Sequence, residues 1–142
     1  MSRPRYAFVL ALVGCGPDLP DGWEDAAPVE AFAQSACDGT PYEAFDTRVS
    51  STLEADLTIE VLDARFRCEQ AAEAFWHEVD GGVEVLVQPV DMRPGAVAGC
   101  DCLFDLEIGV GTLDETPSQV AVYQRQDRLN EPNPVSLIGE VR

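Results

Sequence analysis

The sequence predicts an all-β fold: a small antiparallel β-sandwich, stapled by disulfides and preceded by one short helix. Three observations carry this. From Leu53 onward apolar residues alternate with polar ones at a period of two, Gly-, Pro- and Asp-rich turns part these runs at short intervals, and four cysteines lie in or beside them. With 142 residues the chain is one domain in size, and 46% hydrophobic residues is too many for a disordered acidic tail. The likeness to an immunoglobulin domain is one of architecture only, because Cys68 and Trp76 stand too close together for the Cys and Trp spacing of a true immunoglobulin domain.

The first fifteen residues are not part of that fold. Arg3 and Arg5 form a positive start, Tyr6 to Val13 is an unbroken apolar run, and the stretch contains no acid. This is the layout of a secretory signal peptide, and the run is far shorter than the about 20 residues that a membrane-spanning helix needs. It ends in Leu12-Val13-Gly14-Cys15, which resembles the lipobox of bacterial lipoproteins. The resemblance implies that 1–14 is a lipoprotein signal peptide, removed after the Cys15 sulfur is alkylated with diacylglycerol. It implies that the protein's partner is the membrane, held through covalent lipid on Cys15. Gly16 after the lipid-bearing Cys, rather than Asp, implies release to the outer membrane, facing the periplasm or the cell surface. The stretches C-D-C-L-F-D at 100–105 and P-N-P-V-S-L-I-G-E at 132–140 are similar to uncharacterised small envelope lipoproteins, a likeness that implies no activity.

Residues 15–28 read as the lipid-bearing Cys and an acidic Gly/Pro tether. Five of the thirteen residues from Gly16 to Pro28 are Gly or Pro and four are acidic. Fully extended, this segment would hold a domain up to about 40–45 Å from a bilayer. The sandwich domain is placed at 29–142. Its opening, Val29 to Cys37, predicts the short helix, since Val29, Phe32, Ala33 and Ala36 fall at i, i+3, i+4 and i+7, after Pro28 and before Gly39.

The strands follow. Leu57, Ile59 and Val61 share one face. The phase then slips to Leu62, Ala64, Phe66 and Cys68, which predicts a bulge near Val61–Asp63. Residues 69–76 are locally helix-prone, but Phe75 to Val79 reads as a strand that Asp80-Gly81-Gly82 turns into Val83, Val85 and Val87. Cys100, Cys102, Phe104, Leu106, Ile108 and Val110 line one face of the cleanest strand. Val120 and Val122 mark the next, and Val135, Leu137, Gly139 and Val141 the last.

Charge narrows the function. Nine Lys+Arg, all Arg, stand against 26 Asp+Glu, giving a net charge of −17. Phosphate binding needs clustered cations, so nucleic acid is excluded as a main partner. Once Cys15 goes to lipid, Cys37, Cys68, Cys100 and Cys102 remain, an even set for an oxidising compartment. A Cys100–Cys102 bond would force a tight ring within a strand, so Cys37 and Cys68 are each expected to bridge to one of that pair.

Two groups of residues carry metal-ligand chemistry, and each also has a structural reading. The four cysteines with His77 or Met92 are a soft-ion donor set, but cysteines on an inward strand face beside Phe104 and Leu106 read better as core disulfides. Asp101, Asp105 and Glu107 share a strand face, with Asp80, Asp114 and Glu115 in turns. They are the candidates for Ca²⁺, yet no D-x-D-x-D-G loop occurs, and acids alternating on a strand read better as a solvated face. His77, beside Trp76, reads as a packing residue. No G-x-S-x-G, H-E-x-x-H or P-loop pattern is present. Trp23, Tyr42, Phe45 and Tyr123 are the aromatics available to a protein or glycan partner. The sequence thus predicts a non-enzymatic, cofactor-free, lipid-anchored envelope protein with a structural or interaction role. The alternatives are a ligand-binding module for Ca²⁺, a soft metal or carbohydrate, and, behind these, a carboxylate-based hydrolase.

Overall fold

The structure is a computed structural model that describes residues 16–42, 44–91, 100–126 and 134–142. The signal segment 1–14, Cys15, Met92 and the loop 130–133 lie outside these residues. Among the described residues nine strands run in chain order: β1 (Ala27–Pro28), β2 (Ala31–Gln34), β3 (Arg48–Leu53), β4 (Leu57–Arg67), β5 (Ala72–Val79), β6 (Gly82–Pro89), β7 (Asp101–Gly111), β8 (Gln119–Arg125) and β9 (Val135–Val141). They form two sheets, one of five strands in the order β1-β5-β6-β8-β9 and one of four in the order β2-β7-β4-β3. The fold is therefore all-β, as the period-two patterning requires.

The alternation places the core. Leu57, Ile59, Val61, Ala64 and Phe66 of β4 and Cys102, Phe104, Leu106, Ile108 and Val110 of β7 face Ala72, Ala74, Val83, Val85, Val87, Val120 and Val122 of the other sheet. The phase slip in β4 is a register shift between Val61 and Ala64. Asp63 sits in it at φ 58°, its N–H donating to Asp105 Oδ1 at 3.1 Å and its carbonyl accepting from Thr47 Oγ1 at 2.8 Å. That extra residue restores the inward face after the bend.

Four expectations are corrected. No helix forms over Val29–Cys37. Ala31 to Gln34 instead pairs antiparallel with Gly109 to Leu106, because the free edge of β7 offers a ladder that a nine-residue, marginal helix cannot match. The sandwich is not purely antiparallel: β6 and β8 run parallel, Val83 beside Val120 and Val87 beside Gln124, with β7 as the crossover through the other sheet. The last strand does not keep one phase. A register shift at Val122/Tyr123 turns Ile138 toward the core and leaves Leu137 about half exposed. Residues 16–28 do not form a free tether, as described next.

Both disulfides fall within the predicted set. Cys37 bonds Cys102, with Cα atoms 5.7 Å apart, and Cys68 bonds Cys100, with Cα atoms 5.5 Å apart. The first ties the end of the β2 segment to β7. The second clips β4 to the start of β7.

Candidate functional site

The outer face of the five-stranded sheet carries the densest set of polar and aromatic contacts described. Here alternation sends His77 outward from β5, Glu84 and Gln88 from β6, and Tyr123 and Arg125 from β8, while Val83, Val85, Val87, Val120 and Val122 point to the core. Residues 16–28 lie across this face as a strap.

The upper half of the strap is an aromatic latch. A turn closes between Pro20 and Trp23, the Trp23 N–H donating to the Pro20 carbonyl at 3.0 Å, and the Ala26 N–H then donates to the Trp23 carbonyl at 3.0 Å. Gly22 takes φ +88° inside this turn, a backbone that side chains resist. The winding drops Trp23 onto the sheet, where it is 7% exposed. Its ring stacks on His77, with centroids 4.4 Å apart and planes 9° apart, and meets Tyr123 edge-on at 5.6 Å. Both His77 nitrogens face carboxylates: Nδ1 lies 2.8 Å from Asp25 Oδ1 and Nε2 lies 3.7 Å from Glu84 Oε1. The hydrogen bond from His77 holds the Asp25 carboxyl below its usual value. Burial, and then the hydrogen bond to Glu84, push the Tyr123 phenol above its own.

The lower half is a polar clasp around Asp18. Its carbonyl accepts from Gln88 Nε2 at 3.1 Å and from Arg125 Nη1 at 2.7 Å, and its carboxylate lies 3.7 Å from Arg125 Nη2. Gln88, 1% exposed, also donates to Glu73 Oε1 at 3.1 Å and accepts from Arg125 at 3.3 Å. A buried amide satisfied on both ends in this way is an ordered anchor point rather than a cost. Between His77 and the clasp lie Phe75 and Leu86, and Ala121 sits beside Glu84 level with His77, all three buried although they sit outside the main core. The strap then continues into β1, where Ala27 and Pro28 pair with Trp76 and Phe75.

Of the predicted site residues the structure brings the cysteines together but not the acids. The sulfurs of Cys37, Cys68 and Cys102 lie within 4.8 Å of one another, but all are spent in disulfides and offer no thiolate to a soft ion. Asp101 pairs with Arg65 at 2.6 Å, Asp105 accepts from the Asp63 backbone, and Glu107 is exposed further along β7. Each acid thus has its own local surroundings, and the structure does not aim the three at one point. Tyr42 is 75% exposed and Phe45 half-buried, while Tyr123 is half-buried beside Trp23. His77 does pack, as expected, but its ring partner is Trp23 and not Trp76.

Asp18, Gln88 and Arg125 are the residues that sequence reasoning missed, and Trp23, read as an aromatic open to a partner, is instead buried against the sheet. The signal available was a lone Trp in an otherwise polar Gly/Pro segment, opposite a strand with an outward Leu and Gln. No known family matches the chain, and no curated protein or solved structure is significantly similar to it.

Proposed function

We propose that this chain is an exported, lipid-anchored envelope protein of bacteria, non-enzymatic, whose sandwich serves a structural or interaction role. The observation that carries the reading is the fate of the sulfurs. Four of the five cysteines pair off into two disulfides, which suits an oxidising compartment, and the unspent one is Cys15 at the end of Leu12-Val13-Gly14-Cys15. Outer-membrane placement follows from Gly16 by the same reading.

Two or three acyl chains on one cysteine would hold the protein durably, since each buried methylene contributes about 0.8 kcal/mol. The strap supports an interaction role over a catalytic one. Its Asp25 takes one His77 nitrogen and its Trp23 stacks on the ring, while the other nitrogen faces Glu84 of the sheet, so the ring serves as a structural contact.

The test is the intact mass of protein extracted from membranes. The expected species begins at Cys15, carries diacylglycerol and at least one further acyl chain, and gains four hydrogens on full reduction. A Cys15→Ser variant should leave the membrane fraction. A chain that still begins at Met1, bears no lipid and stays soluble would overturn the reading.

A further inference from the structure

The clasp fixes where the strap leaves the sandwich. Asp18 sits at the end of the domain that holds Arg65, Arg67, Pro89, Arg125 and Gln126, and only three peptide units separate it from position 15. That spans at most about 11 Å of extended chain, not the 40 Å or so that a free tether would allow. We propose that this arginine-bearing end is the membrane face, held flush on the phospholipid surface by the strap, with the opposite end turned away. The proposal rests on the reading that Cys15 carries the lipid.

Charge favours the same orientation. Among the described residues of the strap end three carboxylates are matched by arginines: Asp18 by Arg125, Asp101 by Arg65 at 2.6 Å and Glu69 by Arg67 at 3.5 Å. These pairs offset most of the negative charge there that anionic headgroups would repel, with Glu73 and Asp91 the other acids at this end, against six acids at the other. The opposite end gathers Glu54, Asp56, Glu78, Asp80, Asp114 and Glu115 around the β3–β4, β5–β6 and β7–β8 turns. Strands of eight to eleven residues set the two ends about 25–35 Å apart, several screening lengths at physiological salt. The acidic end therefore feels the lipid charge only if the domain tips over. Val90, 56% exposed and directly after Pro89, presents an apolar side chain at the strap end, where a headgroup layer would cover it.

Photo-crosslinking tests this on the full lipidated protein in vesicles of phosphatidylethanolamine and phosphatidylglycerol. Benzoylphenylalanine replaces Val90 at the strap end or Leu53, 39% exposed, at the other. The expected result is phospholipid adducts from position 90 and none from position 53. Adducts from both, from 53 alone, or from neither, on protein whose mass shows lipid at Cys15, would overturn the orientation and leave the anchor standing. Protein whose mass shows no lipid at Cys15 would remove the anchor, and the membrane face with it.

Discussion

At the scale of single residues, Trp23 decides whether the first folded segment is a strap or a leash. Truncation to alanine removes the stack on His77 and the edge contact with Tyr123. The expected cost is about 3 kcal/mol, the low end for a buried aromatic, because a surface strap can settle into part of the space. Denaturant unfolding of Trp23→Ala measures it, and a change within error would mean that the strap contributes nothing. The same latch has an acid limit. The Asp25 carboxyl is held below its usual value by His77. Its contribution is therefore complete above the ordinary carboxylate range and is lost as pH falls through the lowered value. Tryptophan emission should report release of the strap on that acid limb, and Asp25→Asn should weaken the latch at neutral pH while flattening the limb. Equal acid limbs in both proteins would place the titration elsewhere.

At the scale of elements, the bulge in β4 was legible because the hydrophobic phase slips by one residue between Val61 and Ala64. Its left-handed residue was not, since Asp is only one of several types tolerated there. Asp63→Gly should be close to neutral in stability, the lost side chain offset by relief at φ 58°. Asp63→Val should cost about 1–2 kcal/mol or more, because a β-branched side chain resists that backbone. Comparing the two midpoints in urea tests the assignment, and equal losses would refute it. Gly139 of β9 makes a second demand. A Cβ there would come 2.8 Å from Val49 Cβ, where the open edges of the two sheets meet. Gly139→Ala should cost about 1–3 kcal/mol by overpacking, and Val49→Ala in the same chain should recover part of it.

The misread elements are the ones with no period of their own. Val29, Phe32, Ala33 and Ala36 fit a helical stripe by spacing alone. What decides their structure is the exposed edge of β7 and the bond from Cys37 to Cys102, neither visible locally. The strap failed for the mirror reason: Gly, Pro and acid are the vocabulary of a linker, and the contacts of Asp18 lie 70 and 107 residues away.

At the scale of the whole molecule, the two-sheet architecture and the set of bridged cysteines were legible, because alternation runs through most of the chain and four cysteines remain beyond the first fifteen residues. The neighbours of each strand were not. Period two states which face is buried but not which strand lies alongside, so the parallel β6–β8 pair had no signal. The disulfides hold loops separated by 65 and 32 residues, both ending on the C-D-C of β7. On the chain-entropy account each contributes about 4 kcal/mol, less than additively because the loops overlap. Full reduction should therefore lower the melting temperature sharply, and an unchanged melt in strong reductant would show that the thiols were never paired.

The parallel pairing has a consequence for the order of events during synthesis. β1 and β9, near the two ends of the described chain, belong to the same sheet, and β8 can join β6 only after β7 has crossed behind it. A polypeptide wired this way cannot finish early. Its contacts are mostly distant in sequence, so folding belongs to the slow millisecond-to-second regime of β proteins. Until Val135 to Val141 emerge, the nascent thread lacks the strand that pairs with β8, and the five-stranded sheet stays open along that edge.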